Sequence, residues 1–305
     1  MRIVAALGGN ALMRRGDKPD ARTQIANVQA AARQLALLAE KHELIITHGN
    51  GPQVGVLALE SANDERLSEC YPFDTLGAET QGMIGYWLLQ AMQNALPGRQ
   101  VASLVSQTLV LAGDPAFANP TKFVGEVYDE ATARRLAAEK GWTIKKDGEH
   151  YRRVVGSPRP QRVIETRMAR ALLHAGAVVI CAGGGGVPVI RNEHGKLQGV
   201  EAVIDKDLAS SLLANSLKIE DFIICTAVDQ VYLDFNSPNQ KGISTMTAEE
   251  ATGYLEAGQF GSGSMAPKIE AAVRFLKNGG RRVIITSLDC LADALDGKAG
   301  TTITN

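Results

Sequence analysis

Three lysines stand where a solvated surface charge would be out of place. Lys122 lies in Asn119-Pro120-Thr121-Lys122, Lys206 in Ala202-Val203-Ile204-Asp205-Lys206-Asp207, and Lys268 in Ser264-Met265-Ala266-Pro267-Lys268. Lys206 follows an apolar run and has an aspartate on each side. Lys268 falls at the start of a helix-forming stretch, where the positive end of the helix dipole opposes a cation. A nearby anion would offset that cost. Such a set suits phosphoryl transfer, in which spread negative charge is stabilised by lysines, backbone N–H groups and a divalent ion, with little covalent chemistry asked of the protein. An aspartate beside the lysines would hold their ammonium groups in place.

Glycine-rich turns point the same way. Gly8-Gly9-Asn10, Gly49-Asn50-Gly51 and Gly183 to Gly186 each follow an apolar, strand-like run. At the carboxyl ends of parallel strands such turns face a ligand, and glycine lets several N–H groups approach an anion. A single turn of this kind need only be tight; three after three strands favour phosphate binding. The chain has neither Gly-x-x-x-x-Gly-Lys-Ser/Thr nor Gly-x-Gly-x-x-Gly, which disfavours an ordinary P-loop or dinucleotide fold. His42, His48, His150, His174 and His194 lack zinc-ligand spacing. His48, beside Gly49, reads as a structural turn residue. The sequence offers no dedicated metal cage, so a divalent ion such as Mg2+ is expected to be held mainly by the phosphates it neutralises.

These residues need a frame. The first half alternates strand and helix: a strand at 3–7, a helix over 22–42, a strand at 43–47, a helix over 80–96 and one or two strands between 101 and 111. The second half repeats the pattern, with a helix over 161–175, a strand at 177–182, a helix over 206–217, a strand at 222–228, a helix over 265–278 and strands at 283–286 and 301–304. Repeated units of this kind predict an α/β fold, a mainly parallel sheet with helices on both faces. Between 114 and 160 the pattern breaks. Pro115, Pro120, Pro158 and Pro160 bracket a charged stretch too long for a plain loop, which reads as a small inserted subdomain beside a single domain spanning 1–305.

Bulk properties narrow the function classes. The chain has 305 residues, 45% hydrophobic and 21% charged, with 31 glycines and a net charge of −1. That is enough apolar material for a sizeable core, and it gives no sign of a nucleic-acid surface. The apolar start is short, and no run reaches the roughly 20 residues of a membrane span, so a soluble, cytoplasmic protein is expected. Cys70, Cys181, Cys225 and Cys290 read as buried reduced thiols.

Several strings resemble the carbamate kinases of the amino acid kinase superfamily. They are Val4-Ala5-Ala6-Leu7-Gly8-Gly9-Asn10-Ala11-Leu12, Thr47-His48-Gly49-Asn50-Gly51-Pro52-Gln53-Val54-Gly55, Gln81-Gly82-Met83-Ile84-Gly85-Tyr86 and Asn119-Pro120-Thr121-Lys122. Others are Arg152-Arg153-Val154-Val155, Gly183 to Val189, Glu201 to Ser210 and Gly263 to Ala272. The resemblance spans nearly the whole chain in order. It implies an open three-layer αβα sandwich, a protruding subdomain at 114–160 and a homodimer. It implies that ATP and carbamate exchange a phosphoryl group to give ADP and carbamoyl phosphate, run toward ATP. It places the transferred group on Gly8, Gly9, Asn10, Gly49, Asn50 and Gly51, with Asp205 beside them. Lys122 would reach in from the subdomain, Lys206 and Lys268 would neutralise the phosphates, and Asp207 would orient the lysines. The nucleotide would lie near Gly184, Thr226, Ala227, Val228, Tyr232, Met265 and Pro267. Phe123 and Asp234 to Ser237 depart from the usual pattern. The alternatives are a relative with a different acceptor and a non-catalytic nucleotide-binding module.

Overall fold

The strand Arg2–Leu7 is apolar from Ile3 onward because both its faces are covered. Val4 and Ala6 belong to one core cluster with Leu213, Phe222 and Phe275, whereas Ile3, Ala5 and Leu7 belong to another with Leu35, Ile84 and Leu88. Alternate side chains of one strand thus enter two separate cores, which is the geometry of a sheet sandwiched between two helical layers. In this computed structural model the described residues are 1–9, 12–13, 16–261 and 264–305. Asn10 and Gly263, singled out above, lie outside them.

Among the described residues the central sheet has eight strands, in the order Thr245–Thr247, Thr301–Thr304, Arg282–Ser287, Asp221–Thr226, Arg2–Leu7, Glu43–His48, Val178–Ile180 and Val101–Ser103. Every pairing is parallel except that of Arg282–Ser287 with Thr301–Thr304. The helices Ala21–Lys41 and Phe73–Ala95 cover one face, and Lys206–Ser216 and Ala266–Lys277 the other. The expected α/β sandwich is therefore the observed fold.

Three local expectations need correction. The helix expected at 80–96 begins at Phe73. The stretch 161–175 opens as a two-residue strand, Arg162–Val163, before its helix Thr166–His174. That strand joins a second sheet with Gln107–Leu109, Val187–Arg191 and Leu197–Gly199. The helix Gly51–Asn63 was read as part of a turn, because Gly49 to Pro52 looked like loop punctuation; proline is in fact well placed in a first helical turn. Of the four cysteines only Cys181 and Cys225 are buried; Cys70 is exposed and Cys290 half-buried.

Within 114–160, the strands Lys122–Tyr128, His150–Val155 and Ile144–Asp147 form their own antiparallel sheet, with the helix Glu130–Lys140 inserted. It rests on the main body through Val124 and Val155, packed on Val54, Phe73 and Leu76. The backbones approach closely there: a Cβ on Gly55 would lie 2.9 Å from the Cα of Gly125. No helix among the described residues is long and apolar enough to cross a membrane.

Candidate active site

Four neighbouring strands deliver their carboxyl ends to one place. Arg2–Leu7 runs into Gly8 and Gly9, Glu43–His48 into Gly49 and Asn50, Val178–Ile180 toward Gly183 to Gly186, and Asp221–Thr226 into Ala227 and Val228. The ladder continues one step past the strands, since the Gly8 N–H donates to the Cys225 carbonyl at 2.9 Å and the Gly49 N–H to the Leu7 carbonyl at 3.0 Å. The helix Gly51–Asn63 starts at once after Asn50, so its positive end points into the same region.

Two further helix starts bring in the charges. Lys206 is the first residue of Lys206–Ser216, and Lys268 the third of Ala266–Lys277. They meet at Asp207. Lys206 Nζ donates to Asp207 Oδ1 at 2.5 Å and Lys268 Nζ to Oδ2 at 2.9 Å. The Asp207 side chain is 4% exposed and those of the two lysines 10% and 16%. Asp205 caps the helix: its Oδ1 accepts from the N–H groups of Asp207 and Leu208. Its Oδ2 takes Lys122 Nζ at 2.9 Å, from a residue 83 positions away in sequence. Asp207 therefore holds two of the three lysines, and the third goes to Asp205.

The electrostatics follow from burial and count. Three ammonium groups face two carboxylates, which leaves one positive charge in excess, added to the positive ends of the helices. Burial by itself would raise the Asp207 carboxyl, but Lys206 and Lys268 outweigh it and hold the group well below the usual carboxylate range. Burial pushes the Lys206 ammonium down, with the charge of Lys268 adding to that, and Asp207 only partly offsets them. Lys268 is also opposed by burial, yet Asp207 prevails and holds it above the ordinary lysine value. The two lysines on one carboxylate thus shift in opposite directions, and Lys206 is the first to lose its proton as pH rises.

The remaining expected residues divide into two groups. Gly8, Gly9, Thr226, Ala227, Val228, Tyr232, Met265 and Lys268 line one cleft of about 560 Å3. Gly184 and Pro267 do not line it. Gly184, at φ +61°, lies against Asn50, and a Cβ there would fall 2.3 Å from Asn50 Nδ2, so its glycine serves close packing of one turn on another. Asn50 in turn donates to Thr80 Oγ1 at 2.8 Å. Gly51 and Pro267 occupy first helical turns. His48 is fully buried, its Nδ1 bonded to the Gly49 carbonyl at 3.0 Å; burial pushes it down to about 4, so it is neutral near pH 7.

Phe235, in the stretch Asp234 to Ser237 already noted as a departure near the expected nucleotide site, lines the cleft wall, as do Gln259 and Phe260, which sequence reading missed. The ring of Phe235 sits 6.1 Å from that of Tyr232, on a turn where Asp234 and Asn236 both have left-handed φ, which Asp and Asn tolerate better than most residues. An exposed aromatic in a run of turn formers was the available signal. Sequence reading missed Ser210 too, whose hydroxyl donates to the Lys206 carbonyl and bonds Thr47 Oγ1 at 2.7 Å, tying the lysine's helix to the strand Glu43–His48.

A metal would find few ligands in this arrangement. Both oxygens of Asp205 and both of Asp207 are already engaged, and no cluster of three or more His, Cys, Asp or Glu side chains among the described residues is set to hold an ion.

Known proteins are similar to this chain over nearly its whole length. Residues 1–287 match the amino acid kinase family. A carbamate kinase of Haemophilus influenzae is 52% identical over 305 residues, spanning 100% of this chain and 97% of the relative. One from Thermococcus kodakarensis is 47% identical, spanning 99% and 98%. Among solved structures, the carbamate kinase from Giardia lamblia bound to AMP-PNP is 39% identical, with a TM-score of 0.91 over 99% of this chain and 98% of that one. The chain belongs to the amino acid kinase family, and the three proteins just named, each matched nearly from end to end, are carbamate kinases.

Proposed function

We infer that the chain is a carbamate kinase, transferring a phosphoryl group reversibly between ATP and carbamate, with ADP and carbamoyl phosphate on the other side. The observation that carries this reading is the buried Asp207 gripping Lys206 and Lys268 at the mouth of a cleft walled by Gly8 and Gly9. A carbamate oxygen, already anionic, attacks the terminal phosphorus of ATP. The new O–P bond forms as the bond to the bridging oxygen breaks, and the electron pair leaves on ADP. No general base is required. The site is asked for positioning and for fixed positive charge.

Each residue has a share in that task. Lys206 and Lys268 neutralise the transferring group, and Asp207 fixes both ammonium groups before the substrate arrives. Lys122, held by Asp205, covers the carbamate side. With the Gly8 and Gly49 N–H groups taken by the sheet ladder, those of Gly9, Asn50 and Gly51 cradle oxygens, while Thr226 to Val228, Tyr232 and Met265 border the nucleotide. Mg2+ would ride on the nucleotide phosphates and supply further charge neutralisation, since the protein's own carboxylates are occupied. His48 is buried and bonded to its own turn, which supports direct transfer without a phosphorylated enzyme. Flux toward ATP is the direction we favour.

The test is ATP formation from ADP and carbamoyl phosphate by the purified protein, with acetylglutamate and nucleoside monophosphates as rival acceptors in the ATP-consuming direction. Activity confined to the carbamate pair, lost with EDTA and restored by magnesium, is the expected result. Preference for another acceptor, or phosphorylated enzyme accumulating with ATP alone, would overturn the reading.

A further inference from the structure

The strand pair that carries Lys122 is fastened twice to one short segment of the main body. In the register of Lys122–Tyr128 with His150–Val155, Lys122 faces Val155 and Val124 faces Arg153. Residues directly opposed in an antiparallel pair share a face, so these four look the same way. Val124 and Val155 bury that face on Val54, Phe73 and Leu76. Lys122 reaches Asp205, and one pair further along that face Arg153 Nη2 reaches Glu201 Oε1 at 3.0 Å. Between the two, the Val203 N–H donates to the Gly156 carbonyl at 3.0 Å.

Arg153 is held by more than charge. Its guanidinium carbon lies 4.8 Å from the ring centre of Phe73 and 4.9 Å from that of Trp142. The other oxygen of Glu201 accepts the Phe73 N–H at 2.8 Å, where the helix Phe73–Ala95 begins. One planar cation is thus stacked on two rings and paired with a carboxylate anchored to a helix start. Only a guanidinium offers both the flat faces and the charge.

We propose that Arg153 is a positioning residue whose clasp on Glu201 and Phe73 fixes where Lys122 falls against Asp205, and so governs the carbamoyl phosphate side of the reaction without touching the substrate. The proposal rests on the reading of Lys122 given above. A lysine stem is long and adaptable, so its Nζ is only as well placed as the strands beneath it. Loosening the strand pair beside Lys122 lets that lysine wander, and a displacement of about 1 Å costs up to about a hundredfold in reactivity.

The experiment is steady-state ATP formation by the full-length enzyme carrying Arg153→Met, Glu201→Gln, Lys122→Ala, or Arg153→Met with Lys122→Ala. Arg153→Met keeps the apolar stem and removes the clasp; Glu201→Gln is milder, keeps an acceptor for the Phe73 N–H, and serves if Arg153→Met does not fold. The clasp predicts a KM for carbamoyl phosphate raised about ten- to a hundredfold, with KM for ADP unchanged. It also predicts that Arg153→Met adds nothing once Lys122 is gone, and that Arg153→Lys recovers only part of the loss. Equal rises in both KM values would overturn it. If Lys122→Ala raises KM for carbamoyl phosphate and Arg153→Met multiplies that rise, the clasp falls and the Lys122 reading stands. If Lys122→Ala leaves that KM unchanged, both fall.

Discussion

Two buried aspartates, each gripped by two basic side chains, lie at opposite ends of the sheet, and only one of them belongs to the candidate active site. Asp207 meets Lys206 and Lys268 near the carboxyl ends of the strands. Asp221 opens the strand Asp221–Thr226, at the amino end, and takes Arg281 Nη2 at 2.8 Å and Arg282 Nη2 at 2.7 Å. Its side chain is 1% exposed, even less than that of Asp207. Each carboxylate meets two cations, but the balance of charge differs. Arg281 is half exposed and its Nε also lies 3.9 Å from Glu220 Oε2, so water and a second carboxylate take up its charge. Lys206 and Lys268 are largely shielded from water and sit at helix starts that already carry positive potential, and Lys268 lines the cleft, so the unbalanced charge of the cluster acts there. A buried ion cluster is a common way of closing the end of a sheet; it becomes a site when its unbalanced charge faces a space that an anion can enter.

The largest effect that would sharpen this contrast comes from Lys206→Ala. Removing one preorganised charge-stabilising group typically costs about 10²–10³ in rate, and kcat should fall by that much while Lys268 still satisfies Asp207. Turnover close to that of the unaltered protein would remove Lys206 from the mechanism.

Much of this was legible in the chain. Lys206 between two aspartates, and Lys268 beside Pro267 at a helix start, are placements that solvation alone does not explain. Asp205 was expected beside the transferred group, and its role as the cap of Lys206–Ser216 was not read from the sequence. The partner of Lys122 was not legible: Asp207 was expected to orient the lysines, and no expectation paired Lys122 with Asp205, which holds it. That choice depends on where the sheet of residues 122–155 lands, which no spacing encodes. Gly184 shows the opposite failure. Its glycine was assigned to the nucleotide, whereas the space it leaves is filled by Asn50. In the second sheet Gln107–Leu109 falls among the strands expected between 101 and 111, but Arg162–Val163 and Leu197–Gly199 were missed because two or three residues carry too little periodicity to register.

A smaller effect is expected from Lys122→Ala. This lysine is more exposed than the other two and comes from the smaller sheet, so its loss should raise KM for carbamoyl phosphate by about tenfold or more and leave that for ADP near its original value. Equal changes in both would argue against a carbamate-side position and would make Lys122 resemble the arginines at Asp221, which hold structure rather than substrate.

The smallest effect lies in the pH profile. Lys206 is held below the ordinary lysine value, so kcat/KM should decline on the alkaline side with a midpoint below about 10.4. Stability should not follow it. A lysine whose native pKa lies below its unfolded one binds fewer protons in the folded state across that window, so raising the pH there favours folding as far as this group is concerned. Asp207, with its native pKa depressed, contributes stability above the unfolded carboxylate range and loses it only as pH falls through its native value. Activity lost at alkaline pH in step with the thermal midpoint would point to general unfolding instead.

The most direct test of the central claim sets the two aspartates side by side as Asp207→Asn and Asp221→Asn, with ATP-forming kcat measured per folded molecule. Each change removes the anion from a buried pair, and each should destabilise by about 3–5 kcal/mol. The account predicts that Asp207→Asn lowers kcat by about a hundredfold or more, while Asp221→Asn leaves the kcat of the folded fraction unchanged. Equal losses of kcat in the two variants, or a fully active Asp207→Asn enzyme, would contradict it.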